Sequence, residues 1–212
     1  LITGSAPSGT PASSGSYAWT IPDAIGATVK VRVSDAADAT VVDTSNANFE
    51  IKGSLTLTAP NGSEIWKVGE SRNITWTKTG SIASVKLEYS VNGGTSYPNV
   101  IIASTDATTG TSAWTVPDAI GTQVRVRVTN TADAAVNDAS NANFEIKGSV
   151  TLTAPNGSEV WRVGESRNIT WTRSGSFSFV KLEYSKNGFV DELQTFVINA
   201  STDADPLPTD NA

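Results

Sequence analysis

The chain repeats itself at a fixed offset, which limits it to folds that can be stacked from one unit. TAPNGSEIWKVGESRNITWT starts at Thr58 and TAPNGSEVWRVGESRNITWT starts at Thr153, 95 residues further on. SYAWTIPDAIGATVKVRV around Trp19 is answered, 95 residues on, by SAWTVPDAIGTQVRVRV around Trp114; SNANFEIKGS occurs at Ser45 and again at Ser140. All six Trp fall into such pairs: Trp19 with Trp114, Trp66 with Trp161, and Trp76 with Trp171. Placed on this period, residues 53–147 make one complete repeat. Residues 1–52 supply only the later strands of another, and residues 148–212 only the earlier ones.

Inside a period the apolar residues alternate. Val124, Val126 and Val128 are interleaved with Arg125 and Arg127, as Val29, Val31 and Val33 are with Lys30 and Arg32. This is the period-2 pattern of strands with one buried face, and helical periodicity is absent. Further strands are predicted at Leu55–Leu57, Ile74–Trp76, Val85–Tyr89, around Ile101, at Ala113–Val116 and at Phe144–Ile146, with Phe49–Ile51 the copy of the last. Pro60-Asn61-Gly62, Asn92-Gly93-Gly94 and Pro117-Asp118 lie between them and have turn chemistry. About seven short strands in some 95 residues predict an all-β chain of antiparallel sandwiches. Trp76, Trp114, Val124, Val126 and Phe144 are the expected core. Only Lys52, Gly53 and Ser54 separate one period's last strand from the next one's first, and Lys147, Gly148 and Ser149 repeat this, so neighbouring repeats should form a stiff rod.

Composition removes several classes of function. Net charge is -6 and the pI about 4.6, which excludes a phosphate-tracking nucleic-acid surface built of clustered Lys and Arg. There is no Cys, hence no disulfide or thiolate site, and no His, hence no imidazole base or ligand. No cofactor is expected. No apolar run approaches the ~18 to 20 residues that a membrane span needs. The chain starts Leu1-Ile2-Thr3, holds no Met and shows no basic-then-apolar leader, as expected of a processed product or a fragment.

TAPNGSE, then W-x-V-G-E-S-x-N-I-T-W, then A-W-T-x-P-D, then N-F-E-I resembles the Ser/Thr-rich cell-surface domain of fungal glycosylphosphatidylinositol-anchored proteins linked to cell-wall β-glucan synthesis. It is similar, too, to the tandem repeats of bacterial surface proteins. The resemblance covers residues 53–147 fully and the flanks in part. It implies tandem immunoglobulin-like or fibronectin III-like sandwiches at a cell surface or outside the cell, and brings no catalytic residue with it.

Candidate sites are few. Trp66, beside Gly69, is the indole most expected at the surface, where with its copy Trp161 it could stack on a glycan ring. Asp35, Asp38 and Asp43 crowd one loop, but the spacing matches no EF-hand and Asp is a favoured turn residue, so no calcium site is expected. N-x-Ser/Thr sequons stand at Asn61, Asn73, Asn156, Asn168 and Asn199; Asn73 and Asn168 should point outward because Ile74 and Ile169 point in. Glu88 and Glu183 could serve a two-carboxylate hydrolase, but they alternate with Leu87, Tyr89, Leu182 and Tyr184, which predicts an ordinary hydrated strand face and no enzyme.

The expected function is structural: a building block of an extracellular rod or filament, whose partners are other copies, joined head-to-tail by strand complementation or as one covalent array. Adhesion or glycan binding through loops or Trp66 is the alternative. An odd strand count puts the ends of residues 53–147 at opposite poles, at least one strand length of roughly 20 Å apart, so the outer halves should not close on each other within one chain.

Overall fold

A computed structural model describes residues 12–204. The outermost parts of the expected half-repeats, residues 1–11 and 205–212, lie outside the described residues. About 49% of the residues are in strands, the sheets are almost wholly antiparallel, and no α-helix occurs among the described residues. No helix there is long and apolar enough to cross a membrane.

Four short strands come first: β1 (Gly26–Val29), β2 (Arg32–Ser34), β3 (Val42–Thr44) and β4 (Phe49–Ile51). Nine follow: β5 (Ser54–Ala59), β6 (Ile65–Lys67), β7 (Ser71–Thr79), β8 (Ser84–Ser90), β9 (Asn99–Asp106), β10 (Thr111–Thr115), β11 (Gly121–Asn130), β12 (Asn137–Ala139) and β13 (Phe144–Lys147). The last four are β14 (Ser149–Ala154), β15 (Thr170–Ser174), β16 (Phe179–Ser185) and β17 (Thr195–Asp203).

The middle nine strands make a sandwich-like pair of sheets. One has the order β10-β7-β5; the other has β6-β13-β11-β8-β9, with β12 paired to β11. β13 and β6 run parallel and the remaining pairs antiparallel. The alternation of β11 sends Val124, Val126 and Val128 inward, where they meet Leu57, Ile74, Trp76, Leu87 and Phe144 in one core. Each of these large side chains contributes about 1.5 to 3 kcal/mol on burial. Trp76 also donates from its indole Nε1 to the Ala107 carbonyl at 3.1 Å, so its polar handle is satisfied inside. The expected core residues are therefore all buried. Two strands beyond the expected seven, β6 and β12, are present. Each has three residues, too few for an alternation to show.

The flanking segments repeat the middle one's pairings only in part. β14 pairs β15 with Leu152 opposite Trp171, as β5 pairs β7 with Leu57 opposite Trp76. β1 pairs β4 with Val29 opposite Phe49, as β11 pairs β13 with Val124 opposite Phe144. Ser84 faces Asp106 in the middle and Phe179 faces Asp203 at the end, because the loop after Ser185 is two residues longer than its counterpart. Where a partner strand is missing, strands shorten. β7 begins at Ser71 along β10, but β15 begins only at Thr170, and the copy of β6 at residues 160–162 is not a strand.

Candidate functional site

Trp66 does not present a sugar platform. It lies on β6, which β13 holds by parallel pairing with Ile146 opposite Trp66, and this turns the indole inward. It is 6% exposed, 5.8 Å from Trp114 and 5.0 Å from Phe144 between ring centres. Its copy Trp161 is 41% exposed. That indole belongs to an open apolar face, shared with Leu152 and Trp171, that is left open among the described residues.

Glu88 is not on a hydrated surface either. Its side chain lies on the outer face of β8 yet is 7% exposed, because Lys86 Nζ at 2.6 Å and Arg127 Nη2 at 2.9 Å close over the carboxylate. Burial pushes its pKa up, but the two cations together outweigh burial and hold it below the ordinary carboxylate range. The guanidinium of Arg127 also lies 4.3 Å from the centre of the Tyr97 ring. A carboxylate neutralised in this way is a structural pin. Glu183 is half-buried and pairs with Lys181.

The Asp-rich loops are built as turns. Asp35 accepts from the Ala37 N–H and Asp38 from the Thr40 N–H and hydroxyl. In the middle copy Asp133 accepts from the Ala135 N–H and pairs with Lys52 at 3.0 Å. Asp138 reaches the other sheet and accepts from the Leu57 N–H at 2.7 Å. Among the described residues no three potential metal ligands converge.

The sequons differ in setting. Asn73, Asn156, Asn168 and Asn199 are exposed. Asn61 is half-buried, and its side-chain oxygen accepts from the Asn141 N–H at 2.7 Å. Two carboxylates that sequence reasoning passed over organise the same turns. Glu64 accepts from the Asn61 and Gly62 N–H groups, and Glu159 does so for Asn156 and Gly157. The signal for them was the repeated N-G-S-E itself.

The geometry that recurs with most detail is the joint between segments. Asp23 accepts from the backbone N–H of Ser81 at 3.0 Å and from its hydroxyl. Asp118 does the same to Ser176, with the N–H at 3.1 Å. Hydrogen bonds from the serine, side chain first, lower the pKa of both aspartates. Beside each pair a glycine with φ near 84° or 100° sits against an isoleucine: a Cβ at Gly80 would come within 3.0 Å of Ile25, and one at Gly175 within 2.9 Å of Ile120. The positive φ is what favours glycine at both positions; a Cβ would in addition displace the isoleucine tip. Ser174 adds a hydrogen bond to the Val68 carbonyl at 2.9 Å. No family model matches the chain, and no curated protein matches it.

Proposed function

We propose that this chain is a structural building block of an extracellular or cell-surface rod, made of tandem immunoglobulin-like or fibronectin III-like sandwiches of about 95 residues. Residues 53–147 are one repeat, residues 1–52 the later half of its predecessor and residues 148–212 the earlier half of its successor. The observation that carries this is the joint. The same aspartate, serine, glycine and isoleucine meet at both segment boundaries, where only Lys52 and Gly53, or Gly148 alone, separate the strands, and a contact repeated residue for residue supports a fixed angle between neighbouring repeats. Recognition loops vary from copy to copy; the aspartate, serine, glycine and isoleucine of this joint do not. Adhesion through Trp66 loses its support, since that indole is buried in the one complete repeat.

The absence of cysteine allows a direct test. Thr77 and Thr172 are exposed and occupy the same place in successive segments, so spin labels on Thr77→Cys and Thr172→Cys report the vector from one to the next. A single narrow distance distribution is expected in labelled chain diluted with unlabelled chain, and a broad one after Asp118→Ala. A distribution already broad in the parent would overturn the rod.

A further inference from the structure

The middle sandwich carries a polar groove of about 390 Å³ on the outer face of its larger sheet. Lys86 and Glu88 of β8, Arg127 and Thr129 of β11, Ala103 of β9 and Ala134 of the β11–β12 turn line it. Strand alternation brings the four polar side chains together. Arg127 stands opposite Glu88 and Thr129 opposite Lys86, while Val85, Leu87, Val126 and Val128 between them fill the core.

Donors are in surplus there. Lys86 brings three N–H groups and Arg127 five, and Glu88 takes one from each, at 2.6 and 2.9 Å. Among the described residues two buried side-chain polar atoms make no hydrogen bond, Arg127 Nε and Thr129 Oγ1, and both belong to residues of this groove. Such atoms are rare because each costs the fold stability, and two of them on one face call for a partner from outside. Arg32, Ser34, Lys181 and Glu183 stand at the 95-residue offset from Arg127, Thr129, Lys86 and Glu88, so guanidinium, hydroxyl, ammonium and carboxylate are all kept between copies.

Charge and spacing select the partner. Two cations beside one carboxylate leave a single positive charge, on a chain whose net charge is -6. A monovalent anion balances it, whereas phosphate, at about -1.5 to -2, would overshoot beside Glu88. Arg127 and Thr129 are two residues apart on one strand, about 6.6 Å, a span that the two oxygens of a carboxylate bridge with hydrogen bonds of about 2.9 Å. The volume lies in the range of small-molecule sites and leaves room for a sugar-sized body beyond the carboxylate.

We propose that this groove binds a small monocarboxylate of about sugar size, its carboxylate held by Lys86, Arg127 and the Thr129 hydroxyl. The Lys86 stem, 36% exposed and opposite Thr129, swings aside to admit it. Tyr97, whose ring centre is 4.3 Å from the Arg127 guanidinium, keeps that side chain in place. Glu88 sets selectivity by cancelling one of the two positive charges. The site is built from residues 53–147 alone and stands whether or not the repeats form a rod.

Amide NMR of the full chain, titrated with glucuronate at fixed ionic strength, tests this. Saturable shifts at residues 86–88 and 127–129 are expected at millimolar concentrations, weaker with acetate and absent with glucose. Thr129→Val removes a hydroxyl that the fold leaves unbonded, so the melting temperature should hold or rise while binding weakens about tenfold. Glu88→Gln leaves both cations unopposed and should turn the preference from glucuronate to phosphate; if that variant does not fold, Thr129→Val still decides. Shifts that never saturate, glucose bound as well as glucuronate, or a parent that prefers phosphate overturn the proposal. So do a Thr129→Val chain that melts lower or binds as the parent does, and an unchanged preference in folded Glu88→Gln.

Discussion

Leu57 and Leu152 hold the same place in nearly identical stretches, each opposite a tryptophan on the next strand. One is 1% exposed and the other 44%. Nothing local separates them. β5 and β14 have the same length and hairpin partner, but the face of β5 is closed by strands that arrive more than fifty residues later, and the face of β14 is not. Strand pairing here is written locally and burial is written at long range, so the flanking segments show which parts of the fold form without their complement. The hairpins form; β6, the first turn of β7 and the continuity of β11 do not.

The widest gap between the regions should appear on truncating tryptophans. Trp76→Ala, in the closed core, should cost about 3 to 5 kcal/mol by denaturant unfolding, and Trp66→Ala a similar amount through its ring contacts with Trp114 and Phe144. Trp161→Ala should cost less than about 1 kcal/mol in unassembled chain, because the site it leaves is already open. Equal losses at Trp66 and Trp161 would break the comparison.

A smaller contrast is expected at the carboxylates. Glu88→Gln strips the charge that Lys86 and Arg127 enclose, at about 1 to 3 kcal/mol, while Glu183→Gln should stay within about 0.5 kcal/mol. The pH dependence follows from the lowered pKa of Glu88. Its contribution is complete above the ordinary value of 4.5 and is lost as pH falls through the depressed one, so acid unfolding of the parent should lie above that of Glu88→Gln in stability at neutral pH and converge with it in acid. Curves that stay parallel to the lowest pH would show that the carboxylate carries no such pin.

The smallest effects sharpen the turns and joints. Asp118→Ala should leave the melting transition of the middle segment in place, since its carboxylate is exposed, and act on inter-segment order alone. Chelation of divalent cations should move no melting transition, because Asp133 and Asp138 are already engaged with Lys52, Ala135 and Leu57. A transition lost in chelator and restored by calcium would reverse the assignment of these loops.

The strand at Val124–Val128 was legible from its alternation, and so were the buried Trp76 and Trp114; the same alternation at Val29–Val33 is instead split between β1 and β2, with Val31 and Val33 exposed. Trp66 was not legible. Its burial depends on parallel pairing with residues some eighty positions away, and its neighbour Gly69 suggested an exposed turn. Glu88 followed the alternation correctly to the outer face, but alternation reports direction only; the cover comes from Arg127 across the ladder. Asp118 read as an ordinary turn residue and Ser176 carried no signal of its own; only their meeting across the linker gives them a role.

In the array proposed above, a joint that recurs residue for residue would recur as a movement: the rotation and translation that carry one segment onto the next would be applied again at the following boundary. Repeated application of one such screw operation draws a helix of fixed pitch. Its length then depends only on how many times the unit is copied, and its phase advances by an equal step each time. A surface made this way measures distance by counting, so a gain or loss of one repeat would displace whatever stands at the tip by one step and turn it by one angle.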